Sequence, residues 1–228
     1  SPDEAELFEL CSVEENGYEA LALLSELSGS PKIANELIRP YIADVPTSGD
    51  LDVTTLGPLI ADIMPEESIV SDESATSSLI VTPHALQAKP HDWLALTGGS
   101  IGQGLPLAIG ASIAKPDRPV ITLHGDGGAM YTVQALWTQA RENLNITNII
   151  FSNRSYEILK IELDRVQAVE TGERAASMFS MDNPPIDWVN LAESMGVQGY
   201  KPKTVKEFKD VFSKSVNESG PSLIEIEI

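Results

Sequence analysis

A single cysteine, Cys11, stands in 228 residues. One thiol cannot close a disulfide within the chain, nor hold an iron–sulfur cluster by itself. A reducing cytoplasm suits such a chain and is the expected compartment. Basic residues are scarce too: 15 Lys and Arg face 34 Asp and Glu, for a formal net charge of −19. A surface of that sign repels phosphate backbones and anionic membranes, so neither nucleic acid nor a membrane is an expected partner. An anionic ligand can still bind through a local device, such as a cation, a set of backbone N–H groups or a helix N-terminus. Long apolar runs are missing as well. Nothing approaches the roughly 20 residues of a membrane-spanning helix, and no basic start followed by an apolar core announces a secretory signal.

What is present suffices for a sizeable core, since 42% of the residues are hydrophobic. Residues 1–49 read as a linker or the end of a preceding domain, with two helical patterns, "EALALLSELSG" and "PKIANELIRPYIA", before the breaker-rich "DVPTSGD". Over residues 50–228 the texture changes to alternating helix and strand signals. Helical patterns ("VTTLGPLIADIM", "GLPLAIGASIAK", "YTVQALWTQAREN", "IDWVNLAESMG", "VKEFKDVFSKSV") alternate with apolar strand candidates ("SIVSDES", "RPVITLHGDG", "ITNIIFSN", "PSLIEIEI"). The expectation is a doubly wound α/β domain, with a mainly parallel sheet and helices on both faces.

In such folds ligands sit beyond the carboxyl ends of the strands. "VITLHGDGG" and "NIIFSNRS" place polar residues at two of those ends. Asp126 and Asn153 are 27 positions apart, which suits one strand–helix–strand crossover delivering adjacent parallel strands to the same edge. Carboxylate and amide oxygens are hard ligands, and Mg²⁺ takes few of them from a protein, completing its octahedron with phosphate oxygens and water. Asp126 is therefore expected to hold a cation that in turn holds an anion against an acidic protein. It is read here as an exposed loop carboxylate whose replacement by Ala costs little stability. His84, His91 and His124 are each read as ordinary surface or hydrogen-bonded residues and left out of the site.

GDG followed after 25 residues by the Asn of "SNRS" resembles the thiamin diphosphate motif, whose usual ending is a double Asn; Ser152 takes the place of the first. "DESATSS", "TGGSIGQGLPLAIGASIAKPDRPVITLHGDGGAMYTVQALWT" and "GPSLIEIEI" extend the resemblance to the diphosphate-binding domain of acetolactate synthases and benzoylformate decarboxylases, over roughly Leu51 to Ile228. The resemblance implies thiamin diphosphate and Mg²⁺ as cofactors, with Asp126, Asn153 and the backbone carbonyl of Ser155 as metal ligands. Gly125 and Gly127 would let the backbone approach the diphosphate, beside Gly128, Ala129 and Tyr131 at the opening of the next helix. Ala75 and Thr76 occupy positions that offer hydroxyls to the diphosphate in the decarboxylases, and Ala75 has none. Ile101 matches the aliphatic wedge between the cofactor rings, and Gly99 the carbonyl that accepts from the aminopyrimidine.

The activity so implied is decarboxylation of a 2-oxo acid, followed by protonation or by addition to a second 2-oxo acid, with the synthase favoured. Family enzymes begin with a pyrimidine-binding domain that carries an activating glutamate, and the residues before Leu51 are too few for it. The chain is thus expected to be a fragment or a subunit, silent alone, that meets a pyrimidine-binding domain in cis or in trans and self-associates as a dimer. Glu73 is on the diphosphate side and is not that glutamate. Two other readings stay open: the small subunit of a 2-oxo acid oxidoreductase, opposed by the lone cysteine, and a non-catalytic binding module.

Overall fold

The computed structural model describes residues 8–29, 44–85, 88–166 and 172–228. The chain divides into two compact units, Ser1–Arg39 and Pro40–Ile228. In the first, helix α1 (Gly17–Leu27) starts where Asn16 accepts the N–H groups of Tyr18 and Glu19, and it buries none of its residues. The second helix expected there, at residues 31–43, lies outside the described residues.

The second unit is built on six strands: β1 (Ile69–Glu73), β2 (Asp92–Ala95), β3 (Val120–Gly125), β4 (Ile146–Ser152), β5 (Gln198–Tyr200) and β6 (Ser222–Glu227). All pair in parallel, in the order β2-β1-β3-β4-β6-β5. The expected doubly wound α/β class is therefore the observed one. Helix α2 (Val53–Ile63) precedes β1, and between the strands run α3 (Ser78–Ala85), α4 (Gly104–Ala114), the single turn α5 (Asp126–Ala129), α6 (Ala135–Arg141), α7 (Glu157–Arg165), α8 (Glu173–Ser177), α9 (Trp188–Ser194) and α10 (Val205–Asn217). None of the described helices is long and apolar enough to cross a membrane.

Alternation along the strands splits the core in two. Ile121, Leu123, Ile149, Phe151, Ile224 and Ile226 pack with Leu56, Leu59 and Ile60 of α2 and with Phe208 and Phe212 of α10. On the other face Ile150 and Leu223 pack with Leu105, Leu136 and Trp188 from α4, α6 and α9. A helix buried on one stripe is held by that burial far more than by its own propensity, at roughly 25 cal/mol for each Å² of apolar surface removed from water.

A polar knot ties the middle of the sheet. The buried amide of Asn148 receives the Thr122 hydroxyl at 3.0 Å, exchanges bonds with the Gln139 amide at 2.8 and 3.2 Å, and donates to the Ser222 carbonyl at 2.9 Å.

The pattern "YTVQALWTQAREN" departs from its expected form. Its helix begins only at Ala135, while Asp126–Ala129 make a separate turn. Thr132 and Val133 are poor helix formers, and the Thr132 hydroxyl is engaged elsewhere, donating to the Gly102 carbonyl at 2.8 Å. Gly128 and Ala129 therefore sit on the short turn, and Tyr131 in the link that follows it.

Strand order reverses at β1, which has β2 on one side and β3 on the other. Ligand crevices in open α/β sheets form at such a switch point, outside the carboxyl ends of the strands. Glu73–Ser77 and His124–Gly128 leave the sheet there.

Candidate functional site

Asp126 follows the last residue of β3, and it is buried, at 3% exposure. Its Oδ1 accepts the Gly127 N–H at 2.8 Å, its Oδ2 accepts the Arg154 N–H at 2.7 Å, and the Ser152 hydroxyl stands 3.5 Å from Oδ2. The expectation of an exposed loop carboxylate is corrected. The register that pairs Gly125 with Phe151 brings the two strand ends together, and Arg154, at φ +52°, turns its N–H back onto the carboxylate.

Burial raises the Asp126 carboxyl above its ordinary 3.8, against the opposing pull of the Arg154 and Gly127 N–H groups. Below pH 3.8 both folded and unfolded chains hold the proton, and the group is neutral to stability. As pH rises the unfolded chain ionises first, so the folded chain loses stability until the folded carboxyl has ionised too. In metal-free buffer, urea unfolding should show the stability difference between Asp126→Asn and the natural chain moving in the variant's favour from pH 3.5 (roughly, below both ionisations) to neutrality. A constant difference over that range would contradict the burial argument.

Asn153 lies beyond β4, where its Oδ1 accepts the Ser155 N–H at 2.9 Å and keeps a second lone pair. Ser155 faces Ser180 in an antiparallel bridge. The bonds of that bridge come from its neighbours: Tyr156 N–H to the Phe179 carbonyl at 2.9 Å, and Met181 N–H to the Arg154 carbonyl at 2.8 Å. Among the described residues no backbone N–H is donated to the Ser155 carbonyl, which remains available as a ligand. No three His, Cys, Asp or Glu side chains of the described residues gather into a metal site. One carboxylate, one amide oxygen and one backbone carbonyl make a hard donor set of low charge, suited to a cation that completes its shell from an anion.

The cleft beside these groups encloses about 370 Å³, part of it open to solvent, and is walled by Ser74–Ser77, Gly125–Gly128, Phe151, Asn153 and Ser155–Ile158. Ala75, Thr76, Gly125, Asp126, Gly127, Gly128, Asn153 and Ser155 thus share one wall, as the sequence reading groups them. Gly99, Ile101, Ala129 and Tyr131 do not line it. The Ala129 side chain is buried in the apolar core. Ile101 and Tyr131 are 54% and 63% exposed and belong to a second surface, where a Cβ built on Gly102 would stand 2.9 Å from that of Tyr131.

Ser77, Tyr156 and Glu157 also line the cleft and were not singled out from the sequence. Ser77 is buried two positions beyond Ala75, which has no hydroxyl and sits at φ +50°. Thr76 and Ser77 bring hydroxyls to that wall instead. A Cβ on Gly127 would come 2.8 Å from the Tyr156 ring, so glycine is what lets that ring close against the GDG turn.

Residues 75–226 match the family described as thiamine pyrophosphate enzyme, C-terminal TPP binding domain. The chain belongs to this family. A putative acetolactate synthase large subunit, IlvX, of Mycobacterium tuberculosis is 44% identical over 180 residues, covering 78% of this chain and 35% of that protein. A benzoylformate decarboxylase of Pseudomonas aeruginosa is 26% identical over 90% of this chain and 38% of its own length. Among solved structures, a thiamine diphosphate-dependent 4-hydroxybenzoylformate decarboxylase of Rhodococcus jostii superposes with a TM-score of 0.73 at 28% identity, over 92% of this chain and 38% of that one. The thiamin diphosphate-binding domain therefore spans well under half the length of these relatives.

The residues of the domain fit the cofactor. Its diphosphate needs a cation bridge and close backbone approach, and the cleft wall offers Asp126, Asn153 and Ser155, whose carbonyl receives no backbone N–H among the described residues, with glycine on both sides of Asp126.

Proposed function

We propose that the domain holds Mg²⁺ through Asp126, Asn153 and the Ser155 carbonyl, and through it the diphosphate of thiamin diphosphate, as part of an acetolactate synthase-like enzyme acting on 2-oxo acids. The observation that carries this reading is that Asp126, Asn153 and Ser155, just beyond the ends of the adjacent strands β3 and β4, line one cleft. When bound, the cofactor supplies the electron sink for decarboxylation, and the protein's part is orientation and electrostatics. The cation reverses the local sign in a chain of net charge −19, so that an anion is attracted where it would be repelled. Gly125, where a Cβ would meet only the Ser74 carbonyl at 3.8 Å, leaves the wall open for that anion, and Thr76 and Ser77 offer hydroxyl donors.

On the second surface, Ile101 is the residue we assign to wedge between the cofactor rings, and the Gly99 carbonyl the acceptor for its aminopyrimidine, beside Tyr131. The activating glutamate is assigned to a pyrimidine-binding domain supplied in cis or in trans. Calorimetric titration of thiamin diphosphate with Mg²⁺ present, and again with the metal chelated, tests the metal bridge. Binding of equal strength in both conditions would remove it.

A second reading, a decarboxylase that protonates its intermediate rather than adding it to another 2-oxo acid, is supported by decarboxylase relatives that align over 90% and 92% of this chain, close to the 95% of a probable acetolactate synthase. Product analysis of the whole enzyme separates the two.

Ile101, Met130, Tyr131 and Trp137 are exposed apolar side chains, and apolar surface invites a partner where it gathers into a patch. We assign that partner as a second copy in a two-fold dimer. Charge repulsion opposes it and is screened by salt, so light scattering should show the dimer fraction rising from low to moderate salt. A monomer at every salt and protein concentration would overturn the assignment.

A further inference from the structure

A second buried carboxylate lies next to the cleft without lining it. Glu73, the last residue of β1, is 5% exposed and is the register partner of His124 on β3, which is fully buried. Its Oε1 accepts the Gly102 N–H at 2.5 Å and its Oε2 accepts the Gly104 N–H at 2.6 Å. His124 Nε2 stands 3.1 Å from Oε2 without an aligned hydrogen bond, while its Nδ1 is 3.2 Å from the Gly125 carbonyl. One carboxylate therefore grips the backbone on both sides of Gln103.

Two glycines make room for this pair, and a third supplies the backbone turn. A Cβ on Gly104 would come 2.8 Å from the His124 ring, one on Gly128 would come 3.1 Å from Glu73 Oε1, and Gly102 holds φ at +92°. Burial pushes the Glu73 carboxyl up, but the His124 contact and the two N–H groups together outweigh it and hold the group below the usual carboxylate range. The acceptor is thus the ionised form, the stronger partner for a backbone N–H.

Beyond Glu73, the root of the segment is tied by the Thr132 hydroxyl on the Gly102 carbonyl at 2.8 Å and by the Ser71 hydroxyl on the Gly104 carbonyl at 2.9 Å, but its tip is loosely held. Residues 97–101 are exposed, Gly98 and Gly99 have positive φ, and the hydrogen bonds from Ser100, Ile101 and Gln103 N–H run within the turn itself. Such a glycine-rich turn samples many conformations unless its root is fixed. We propose that Glu73, seated against His124, is a positioning residue: its two bonds to Gly102 and Gly104 set the conformation of the Gly98–Gly104 turn, and with it the placement of Gly99 and Ile101. What the turn meets rests on the cofactor reading above. The grip itself does not.

The test uses the full chain. In the cofactor-free natural protein, NMR should find the Gly102 and Gly104 amide protons far downfield and protected from exchange, as charge-assisted bonds require. Two unshifted, freely exchanging amides would overturn the proposal without any variant. Glu73→Gln keeps the size but offers one acceptor oxygen and an NH₂ in place of the other. Exchange at Gly102 and Gly104 should quicken by about ten-fold or more, with β3, β4 and β6 unchanged.

Binding supplies the readout that a merely structural role would not give. With Mg²⁺ present, Glu73→Gln should weaken thiamin diphosphate by about ten-fold and leave inorganic pyrophosphate unaffected, because the turn is assigned to the rings and not to the phosphates. Equal weakening of both ligands, or loss of protection throughout the sheet, would overturn the positioning role. Failure of the natural chain to bind either ligand would sink the cofactor reading and leave the grip to be judged by exchange alone.

Discussion

Asp126→Asn is expected to lower the affinity for thiamin diphosphate in the presence of Mg²⁺ by about 100-fold or more, while the chain stays folded. A hard divalent cation binds an amide oxygen far less strongly than a carboxylate, and Asp126 is the single carboxylate in the proposed donor set. Folding survives because a buried carboxyl that is reluctant to ionise resembles an amide in shape and charge, and one oxygen still accepts a backbone N–H. Asp126→Ala is a harsher change. It leaves the Gly127 and Arg154 N–H groups, now bonded at 2.8 and 2.7 Å, without their acceptor, at a cost of about 1–3 kcal/mol for each group kept from water. Calorimetry gives the affinity and thermal unfolding the stability. Metal-dependent binding of natural strength in a folded Asp126→Asn chain would rule out the assigned ligand set.

The largest loss of stability is expected from Asn148→Leu. Leucine has a similar volume but none of the four hydrogen bonds that tie Thr122, Gln139 and Ser222 to this amide. Thr122 and Gln139 are wholly buried and find no water in exchange, so the cost is about 3 kcal/mol or more. Urea unfolding reads it directly. Replacing Gln139 by Leu in the same chain should restore part of the loss, because an apolar pair is less costly than an orphaned amide. A loss below about 1 kcal/mol, within the range of one ordinary hydrogen bond, would show that the knot contributes little. The knot joins β3, β4 and β6, and Asp126 and Asn153 directly follow the first two of these strands, so its geometry is felt at the site.

The proposed metal side of the site can be read in the sequence because its signal is local. A turn residue between glycines follows a buried strand, and one crossover later an amide follows another. The parallel register converts that spacing into proximity. Edge strands β2 and β5, with four and three residues, are too short for a period to emerge. The delayed start of α6 depends on the Thr132 bond to Gly102, 30 positions away in sequence. Glu73 and His124 are likewise neighbours only through the pairing of β1 with β3. Read singly, each looks like an ordinary surface or capped residue. Tyr156 and Glu157 reach the cleft because Arg154 takes a left-handed conformation, rare for its residue type.

The burial of Asp126 bears on how long the empty chain lasts. A protein whose binding carboxylate is uncomfortable without its counter-ion is less stable empty than loaded. By mass action, ligand at 100 times its dissociation constant adds about 2.7 kcal/mol, a near hundred-fold drop in the population open to a protease. On the proposed ligand set, abundance in the cell would follow the supply of cofactor and cation, with unloaded copies cleared first.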